Sequence, residues 1–199
     1  MKTLALELST LRGGLAWLDG ETEFTREWPN DRKNSATFFE NLQEARRKFG
    51  APETIIVGLG PGSYAGTRIA ISTGIGIQLS CDARLIGYPS ICAIECDAQE
   101  YLVIGDARRK SFFFARILKN ELMEGPKLFS ELELKARLES VDPATTVFSS
   151  ELLPQFHRAV IAFPSALILA RLAKESRRSF CLPPLEPFYL REPHITMPK

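Results

Sequence analysis

Residues 58–69 read Gly58-Leu59-Gly60-Pro61-Gly62-Ser63-Tyr64-Ala65-Gly66-Thr67-Arg68-Ile69, and the rest of the chain is organised around them. An apolar run at 54–57 precedes this stretch, and a longer segment of small and apolar residues at 70–79 follows it. This order predicts a strand, a tight glycine loop and a helix. The glycines permit positive φ and close backbone approach, and Ser63 is suited to cap the helix. The loop therefore suits either an anion or a tightly docked neighbour.

Two familiar phosphate loops do not fit these residues. A P-loop needs two glycines five positions apart, followed by lysine and then by serine or threonine. Gly60 and Gly66 are one residue too far apart, and Thr67-Arg68 stands where the lysine and the hydroxyl residue should be. In the dinucleotide fingerprint, Ser63 would occupy the third glycine position. Ser63 also lacks the flanking glycines of a G-x-S-x-G nucleophile elbow. The loop therefore predicts neither a phosphate site of a known type nor a serine nucleophile.

The run from Gly60 to Ile69 resembles the GPGSFTGLRIG signature of the TsaB family, also called YeaZ. It departs from that signature at three positions, of which the first keeps an aromatic ring: Tyr64, Ala65 and Thr67. Residues 106–113 resemble a second family block, and 187–191 resemble its P-x-Y-L-R tail. The blocks hold residues whose role stays unassigned: Asp106, Arg108, Arg109, Tyr189 and Arg191. Three blocks in the right order identify the chain as similar to this family.

The resemblance implies a function in making threonylcarbamoyladenosine in transfer RNA. It implies a non-catalytic scaffold subunit that binds and activates a catalytic TsaD-type subunit, with a TsaE-type ATPase as a further partner. It also implies that transfer RNA is met only through the complex, and that ATP or ADP sits at the joint between subunits instead of binding tightly to this chain. The loop residues expected to contact nucleotide or partner are Gly60, Pro61, Gly62, Ser63, Tyr64, Gly66 and Arg68.

Two helices are expected at 35–49 and 66–80, and the second has an unusual composition. Gly66, Ala70 and Gly74 recur four residues apart, and a glycine inside a helix costs about 1 kcal/mol relative to alanine. Close approach of another backbone or packing on the chain's own sheet would each explain this pattern. In the TsaB family these two helices contact the catalytic subunit. The resemblance thus implies a partner interface formed by Phe38, Leu42, Ala45, Ala70, Gly74 and Ile77, and the same face could also form a homodimer.

The order of elements predicts an α/β fold. The first hundred residues read as strands at 2–8, 15–18 and 21–28, the helix at 35–49, a strand at 55–57 and the helix at 66–80. By analogy, this order is a half-unit of the actin-like ATPase and sugar-kinase fold. We expect two lobes, each a mixed sheet with flanking helices. The first spans residues 1–100, and the second spans 101–199 and ends in an extended, proline-rich tail.

The second half gives weaker signals. It predicts a helix from 90 to about 99, a hairpin over 101–118 with a charged turn, and a short helix at 131–139. Brief strands are expected at 145–149 and 159–163, followed by an amphipathic helix from 165 to about 174. The simplest interpretation of the turn residues Arg108, Arg109 and Lys110 is a solvated hairpin tip.

Composition excludes several classes of protein. The net charge of +1 gives no reason to expect strong nucleic-acid binding by the chain alone. The four cysteines form no C-x-x-C pair and the two histidines form no metal-binding pair, so we expect no metal site. The N-terminus predicts neither a signal peptide nor a membrane span. We therefore expect a cytoplasmic protein without a membrane partner.

The alternative function is a small ATP-dependent phosphotransferase or ATPase of the sugar-kinase fold. ATPases of this fold carry an aspartate and a D-x-G-T/S turn after the first strand, where this chain has Glu7-Leu8-Ser9-Thr10. A longer carboxylate misplaces a magnesium contact, and the missing glycine restricts backbone approach to phosphate. These departures argue against independent hydrolysis. Arg68 could contact a phosphate or pair with a carboxylate, and both interpretations stay open.

Overall fold

A computed structural model describes residues 1–30 and 35–191, and its first half forms a five-stranded mixed sheet. The strands are β1 (Thr3–Glu7), β2 (Arg12–Asp19), β3 (Thr22–Pro29), β4 (Thr54–Gly58) and β5 (Arg84–Tyr88). Two helices accompany them, α1 (Ala36–Phe49) and α2 (Tyr64–Cys81). The order across the sheet is β3-β2-β1-β4-β5, antiparallel from β3 to β1 and parallel from β1 to β5.

The second half repeats this topology. Its strands are β6 (Glu100–Asp106), β7 (Ser111–Leu118), β8 (Glu121–Ser130), β9 (Thr146–Ser149) and β10 (Ala159–Ile161), with helices α3 (Glu131–Glu139) and α4 (Ala166–Leu172). The order β8-β7-β6-β9-β10 is again antiparallel in its first three strands and parallel in the rest. Two mixed sheets of the same order confirm the predicted α/β fold of the actin-like ATPase and sugar-kinase type.

The period-two pattern of β1 explains how the first lobe packs. Leu4 and Leu6 face one apolar cluster with α1 and α2, whereas Ala5 faces a second cluster on the opposite side of the sheet. The first cluster includes Trp17, whose ring stacks on Phe49 at a centroid distance of 5.3 Å. The second cluster contains residues of both sheets and of α4. It therefore joins the two lobes through a continuous core.

The C-terminal segment returns to the first sheet. α4 packs mainly on β1 and β2, and Cys181 forms a β-bridge with Gly87 at the end of the sheet. Further along, the Phe188 N–H donates to the Leu59 carbonyl at 2.8 Å, beside the glycine loop. The two sheets lie on either side of residue 100 in the sequence, but the chain after residue 165 contributes to the first lobe.

One local prediction was wrong, and one strand was missed. The expected helix from 90 to 99 is only a short 3-10 turn, Ser90–Ala93, because Ile94 has extended backbone (φ −74°, ψ 130°) and bridges Pro164. Strand β8 was not predicted at all, since its ten residues lack alternation and contain Gly125-Pro126.

Within residues 1–30 and 35–191, no helix combines the length and apolarity needed to cross a membrane.

Candidate functional site

A cleft of about 540 Å³ lies where the glycine loop meets the second lobe. Its lining includes Ser9, Thr10, Gly62, Ser63, Tyr64, Asp106, Arg108, Glu151, Phe188 and Tyr189. The structure thus brings together three segments that are far apart in the sequence: the glycine loop, the 106–111 hairpin and the tail. Each of them carries one of the three sequence blocks singled out above.

The glycine loop packs directly on the backbone that follows β1. A Cβ atom at Gly62 would overlap the Ser9 carbonyl oxygen, and one at Gly66 would overlap the Leu8 carbonyl oxygen. Both overlaps are with main-chain atoms, which cannot rotate away as a flexible side chain can. The glycines are therefore required by a tightly docked neighbour within the chain.

The loop's backbone donors are also used within the chain. The Ser63 N–H donates to the Ser9 carbonyl at 2.5 Å, and the Gly60 N–H donates to Ser90 Oγ at 2.9 Å. The Gly66 N–H donates to Ser63 Oγ at 3.3 Å, which confirms Ser63 as the cap of α2. Because these three groups already have partners, an anion could bind them only by displacing Ser9, Ser90 or the cap.

Glu7 lies beneath the loop and is fully buried. Its Oε1 accepts the Ser9 N–H at 2.7 Å, while its Oε2 has no hydrogen-bond partner among the described residues. Gly58 leaves the space that this carboxyl occupies, since a Cβ there would overlap Oε2. Burial raises the pKa of Glu7 above its ordinary value of 4.5, against the opposing effect of the Ser9 and Ser90 hydroxyls and the Ser9 N–H. The first-strand carboxyl is thus enclosed and not presented to the cleft.

We expect Glu7→Gln to stabilise the chain increasingly as the pH rises. The pKa of Glu7 is higher in the folded chain than in the unfolded chain, so folding takes up a proton at this carboxyl. Its contribution to stability is therefore present at low pH and is lost as the pH rises through the folded pKa. The amide keeps the shape without the charge. The Tm gain over wild type should be small near about pH 5 and reach about 2 °C or more near about pH 8. The exposed control Glu21→Gln should show no such trend, and a gain that shrinks with pH would contradict a raised pKa.

Tyr64, Arg68 and Tyr189 form an exposed cluster at the mouth of the cleft. The two tyrosine rings lie 5.6 Å apart between centroids, and the Arg68 guanidinium lies 5.1 Å from the Tyr64 ring centre. Arg68 Nη1 donates to the Tyr64 hydroxyl. Of the two interpretations of Arg68 left open by the sequence, pairing with a carboxylate is not seen, since Arg68 takes part in none of the ion pairs among the described residues.

The hairpin block holds an unusual turn. Arg108, Arg109 and Lys110 all have positive φ, at 64°, 54° and 58°. Asp106 stabilises this turn because Oδ1 accepts the Arg108 N–H at 2.7 Å and Oδ2 accepts Arg108 Nη1 at 3.0 Å. Arg191 then fixes the tail to the hairpin by donating to Ser111 Oγ at 2.7 Å. Asp106 and Arg108 therefore line one wall of the cleft, and Arg191 holds the tail next to it.

The structure corrects the predicted partner interface. The six residues are buried in their own lobe: Phe38, Leu42, Ala45, Ala70, Gly74 and Ile77. A Cβ at Gly74 would lie 3.0 Å from Leu85 Cδ1 and 3.1 Å from Val57 Cγ2, so the small-residue face of α2 packs on the sheet. These six side chains therefore belong to the core. A bulky residue at Gly74 would destabilise the fold, so such a substitution cannot test partner binding.

A different face of α2 is exposed, and the sequence pattern did not reveal it. Arg68, Ser72, Ile75, Gly76 and Leu79 lie one to four residues apart and all face solvent; we call them the outer face of α2. Ile75 is 40% exposed and Leu79 is 82% exposed. The helix is apolar on both sides, so periodicity alone could not separate the two faces.

Comparison with solved structures identifies the architecture. An uncharacterized protein of Pseudomonas aeruginosa with similarity to the peptidase YeaZ superposes with a TM-score of 0.74, at 21% identity over 96% of this chain and 99% of that one. YeaZ from the same organism superposes with a TM-score of 0.68, at 19% identity over 87% and 91% of the two chains. The chain has the YeaZ fold. No protein-family model and no curated protein matches its sequence.

In this YeaZ fold, the serine of the glycine loop and the carboxyl of the first strand are both used within the chain. The Ser63 hydroxyl accepts a bond as a helix cap, and Glu7 is enclosed. Over the described ranges 1–30 and 35–191, no three histidine, cysteine, aspartate or glutamate side chains come close enough to hold a metal ion. What the site offers is a shaped cleft with an aromatic and basic rim.

Proposed function

We propose that this chain belongs to the TsaB family and is the non-catalytic scaffold subunit of a complex that transfers a threonylcarbamoyl group to adenosine in transfer RNA. The observation that carries the proposal is the internal use of the glycine loop. In an enzyme of this architecture the corresponding loop and first-strand carboxyl would face the substrate. In this chain the donors of Gly60, Ser63 and Gly66 and the carboxyl of Glu7 serve the fold itself.

The outer face of α2 is the surface we assign to the catalytic TsaD-type subunit. Ser72 and Gly76 have little or no side chain, which would let a partner helix approach closely, and a Cβ at Gly76 would meet no atom within 4 Å. Ile75 and Leu79 supply apolar area beside them. Exposed apolar residues next to small ones are typical of a surface that another protein covers. A homodimer through the same face would compete with the catalytic subunit.

Further partners belong to the same proposal. We propose that a TsaE-type ATPase joins the complex, and that ATP or ADP binds at the joint between subunits and not tightly to this chain alone. Assembly would take place in the cytoplasm. The catalytic subunit would supply the metal and the nucleotide chemistry.

The proposal is tested by capture of the tagged chain from its own cell extract, followed by identification of the bound proteins. We expect a larger, metal- and ATP-binding homologue of the same fold. Leu79→Glu should weaken its capture about tenfold or more, because a charge replaces an apolar contact, while the Tm stays within about 2 °C of wild type. Leu132→Glu is the matched control, since Leu132 is 78% exposed on α3 and the same change there should leave capture intact.

Two outcomes would contradict the proposal. Equal loss of capture in both glutamate variants would show that the outer face of α2 has no special role. Capture of no homologue, together with magnesium-dependent ATP hydrolysis by the purified chain, would favour the small phosphotransferase instead. The observation that favours this alternative is the cleft of about 540 Å³, because its volume is in the range of small-molecule sites.

A further inference from the structure

The rim of the cleft carries two exposed aromatic rings in contact. Tyr64 is 49% exposed and Tyr189 is 42% exposed, although their ring centres lie only 5.6 Å apart. They come from α2 and from the tail, so the fold brings them together from 125 residues apart in the sequence. Although each ring contacts the other, both keep apolar surface open to solvent, where a further flat group could stack.

Basic side chains lie close to each member of this pair. Arg68 stacks over the Tyr64 ring. Arg191 follows Tyr189 by two residues, within about 7 Å along the chain, and donates to Ser111 next to the basic turn 108–110. Tyr64, Tyr189 and Arg108 line the same cleft, so these groups share one surface. The carboxylates nearby are Asp106, which is paired to Arg108, Glu151, which lines the cleft and accepts the Asp106 N–H at 2.7 Å, and Glu186 in the tail.

This arrangement matches one class of ligand better than others. A single-stranded nucleic acid alternates flat bases with negatively charged phosphates, and proteins bind it with exposed aromatic rings beside cationic side chains. Stacking is worth about 1–3 kcal/mol per base and tolerates any base. The near-neutral chain as a whole has no basic surplus, so the positive charge of this rim is a local feature.

We propose that Tyr64 and Tyr189, flanked by Arg68 and the basic turn 108–110, form a stacking platform for unpaired bases of single-stranded RNA. The choice of RNA over DNA rests on the proposed function, because a subunit of an RNA-modifying complex meets RNA. The platform itself rests on the geometry of the rim. It gives this chain a direct contact with RNA, beyond the contact expected only through its partners.

The test measures binding of a short fluorescein-labelled single-stranded RNA of mixed sequence to the full chain by fluorescence anisotropy, at about 50 mM salt, where phosphate contacts are strongest. Tyr64→Leu and Tyr189→Leu should each weaken binding about fivefold or more. Tyr189→Phe keeps the ring and should bind like wild type. Phe39→Leu is the matched control, because Phe39 is 48% exposed on α1, away from the cleft. A strand of the same length without bases should bind at least about fivefold more weakly than the RNA.

The basic turn has its own readout. Replacing Arg109 and Lys110 by glutamine should make the dependence of affinity on salt shallower by about 0.7 for each phosphate that is no longer neutralised, whereas the exposed control Arg84→Gln should leave the slope unchanged. Undetectable RNA binding by the wild-type chain, equal binding of the strand without bases, or full binding by both leucine variants would each overturn the platform. Those results would leave capture of the catalytic subunit untouched, so the two proposals fail separately. Displacement of the RNA by ATP at equal affinity would point to a mononucleotide site and would also overturn it.

Discussion

Replacing Gly66 by alanine is expected to destabilise the chain by at least about 3 kcal/mol, the upper end of the cost of overpacking. The new Cβ would overlap the Leu8 carbonyl oxygen and press on Ser63 Oγ, which caps the same helix. Because Leu8 follows β1 at the centre of the sheet, its backbone cannot move without disturbing Glu7 and Ser9. Alanine has a higher helix propensity than glycine, so propensity alone predicts that the variant would be more stable than wild type.

The control lies on the same helix. Gly76→Ala places a Cβ where no atom lies within 4 Å, so only the helix propensity remains and a gain of about 0.5–1 kcal/mol is expected. Urea unfolding of wild type and the two variants measures the expected loss of stability in Gly66→Ala and the expected gain in Gly76→Ala. A Gly66→Ala variant as stable as Gly76→Ala would contradict the close docking of the loop on the first strand.

Helix α2 also shows what the sequence could and could not predict. Its start at Ser63 followed from the cap residue and the break before it, because both are local in sequence. The spacing of Gly66, Ala70 and Gly74 correctly indicated a close approach. It could not say whether the approaching atoms belong to a partner or to Val57 and Leu85, since that depends on contacts distant in sequence. The side chains predicted to contact a partner therefore lie in the core of their own lobe.

The second lobe was harder to predict for a related reason. Its sheet repeats the order of the first, yet β8 has no alternating pattern and pairs with β7 through irregular register. Tertiary pairing determines such a strand, not its own propensity. In the same way, the 90–99 segment has residues compatible with a helix, but Ile94 is drawn into a bridge with Pro164. Ile91 of this segment lines the cleft, so that part of the lining could not be read from the sequence.

Arg178→Met is the second change with a large expected effect, about 2–3 kcal/mol, because several hydrogen bonds lose their charged donor. The Arg178 side chain is only 7% exposed, and its guanidinium donates to Glu175 Oε2 at 2.7 Å and to the Lys119 carbonyl at 3.2 Å. Its Nη1 also donates to the Asn120 carbonyl at 3.0 Å and to the Tyr88 hydroxyl at 2.8 Å. Methionine fills the volume but removes the charged donor from all four acceptors, of which only the Asn120 carbonyl keeps another partner within the network, the Tyr88 hydroxyl.

The network matters because it joins the two lobes. Tyr88 ends β5 in the first sheet, whereas Lys119 and Asn120 form the turn between β7 and β8 in the second. Burial raises the pKa of Tyr88 to about 12, against a smaller lowering by Arg178, so its hydroxyl stays protonated and donates to the Asn120 carbonyl at 2.7 Å. The Arg178 guanidinium therefore binds both Tyr88 of the first lobe and the 119–120 turn of the second lobe. Removing it should weaken the contact between the lobes.

The exposed neighbour Arg177 supplies the matched control, because Arg177→Met removes the same charge and should change stability by no more than about 0.5 kcal/mol. Arg178→Lys keeps the charge but not the planar fork, so it should fall between the two. Urea unfolding gives the three values, and hydrogen exchange at the Lys119–Asn120 turn should rise in Arg178→Met. Equal effects at 177 and 178 would mean that charge alone matters. A large loss of stability at position 178 alone would show that Arg178 couples the two lobes and so helps to maintain the shape of the cleft between them. Arg178 lies outside all three sequence blocks, so the sequence did not point to this role.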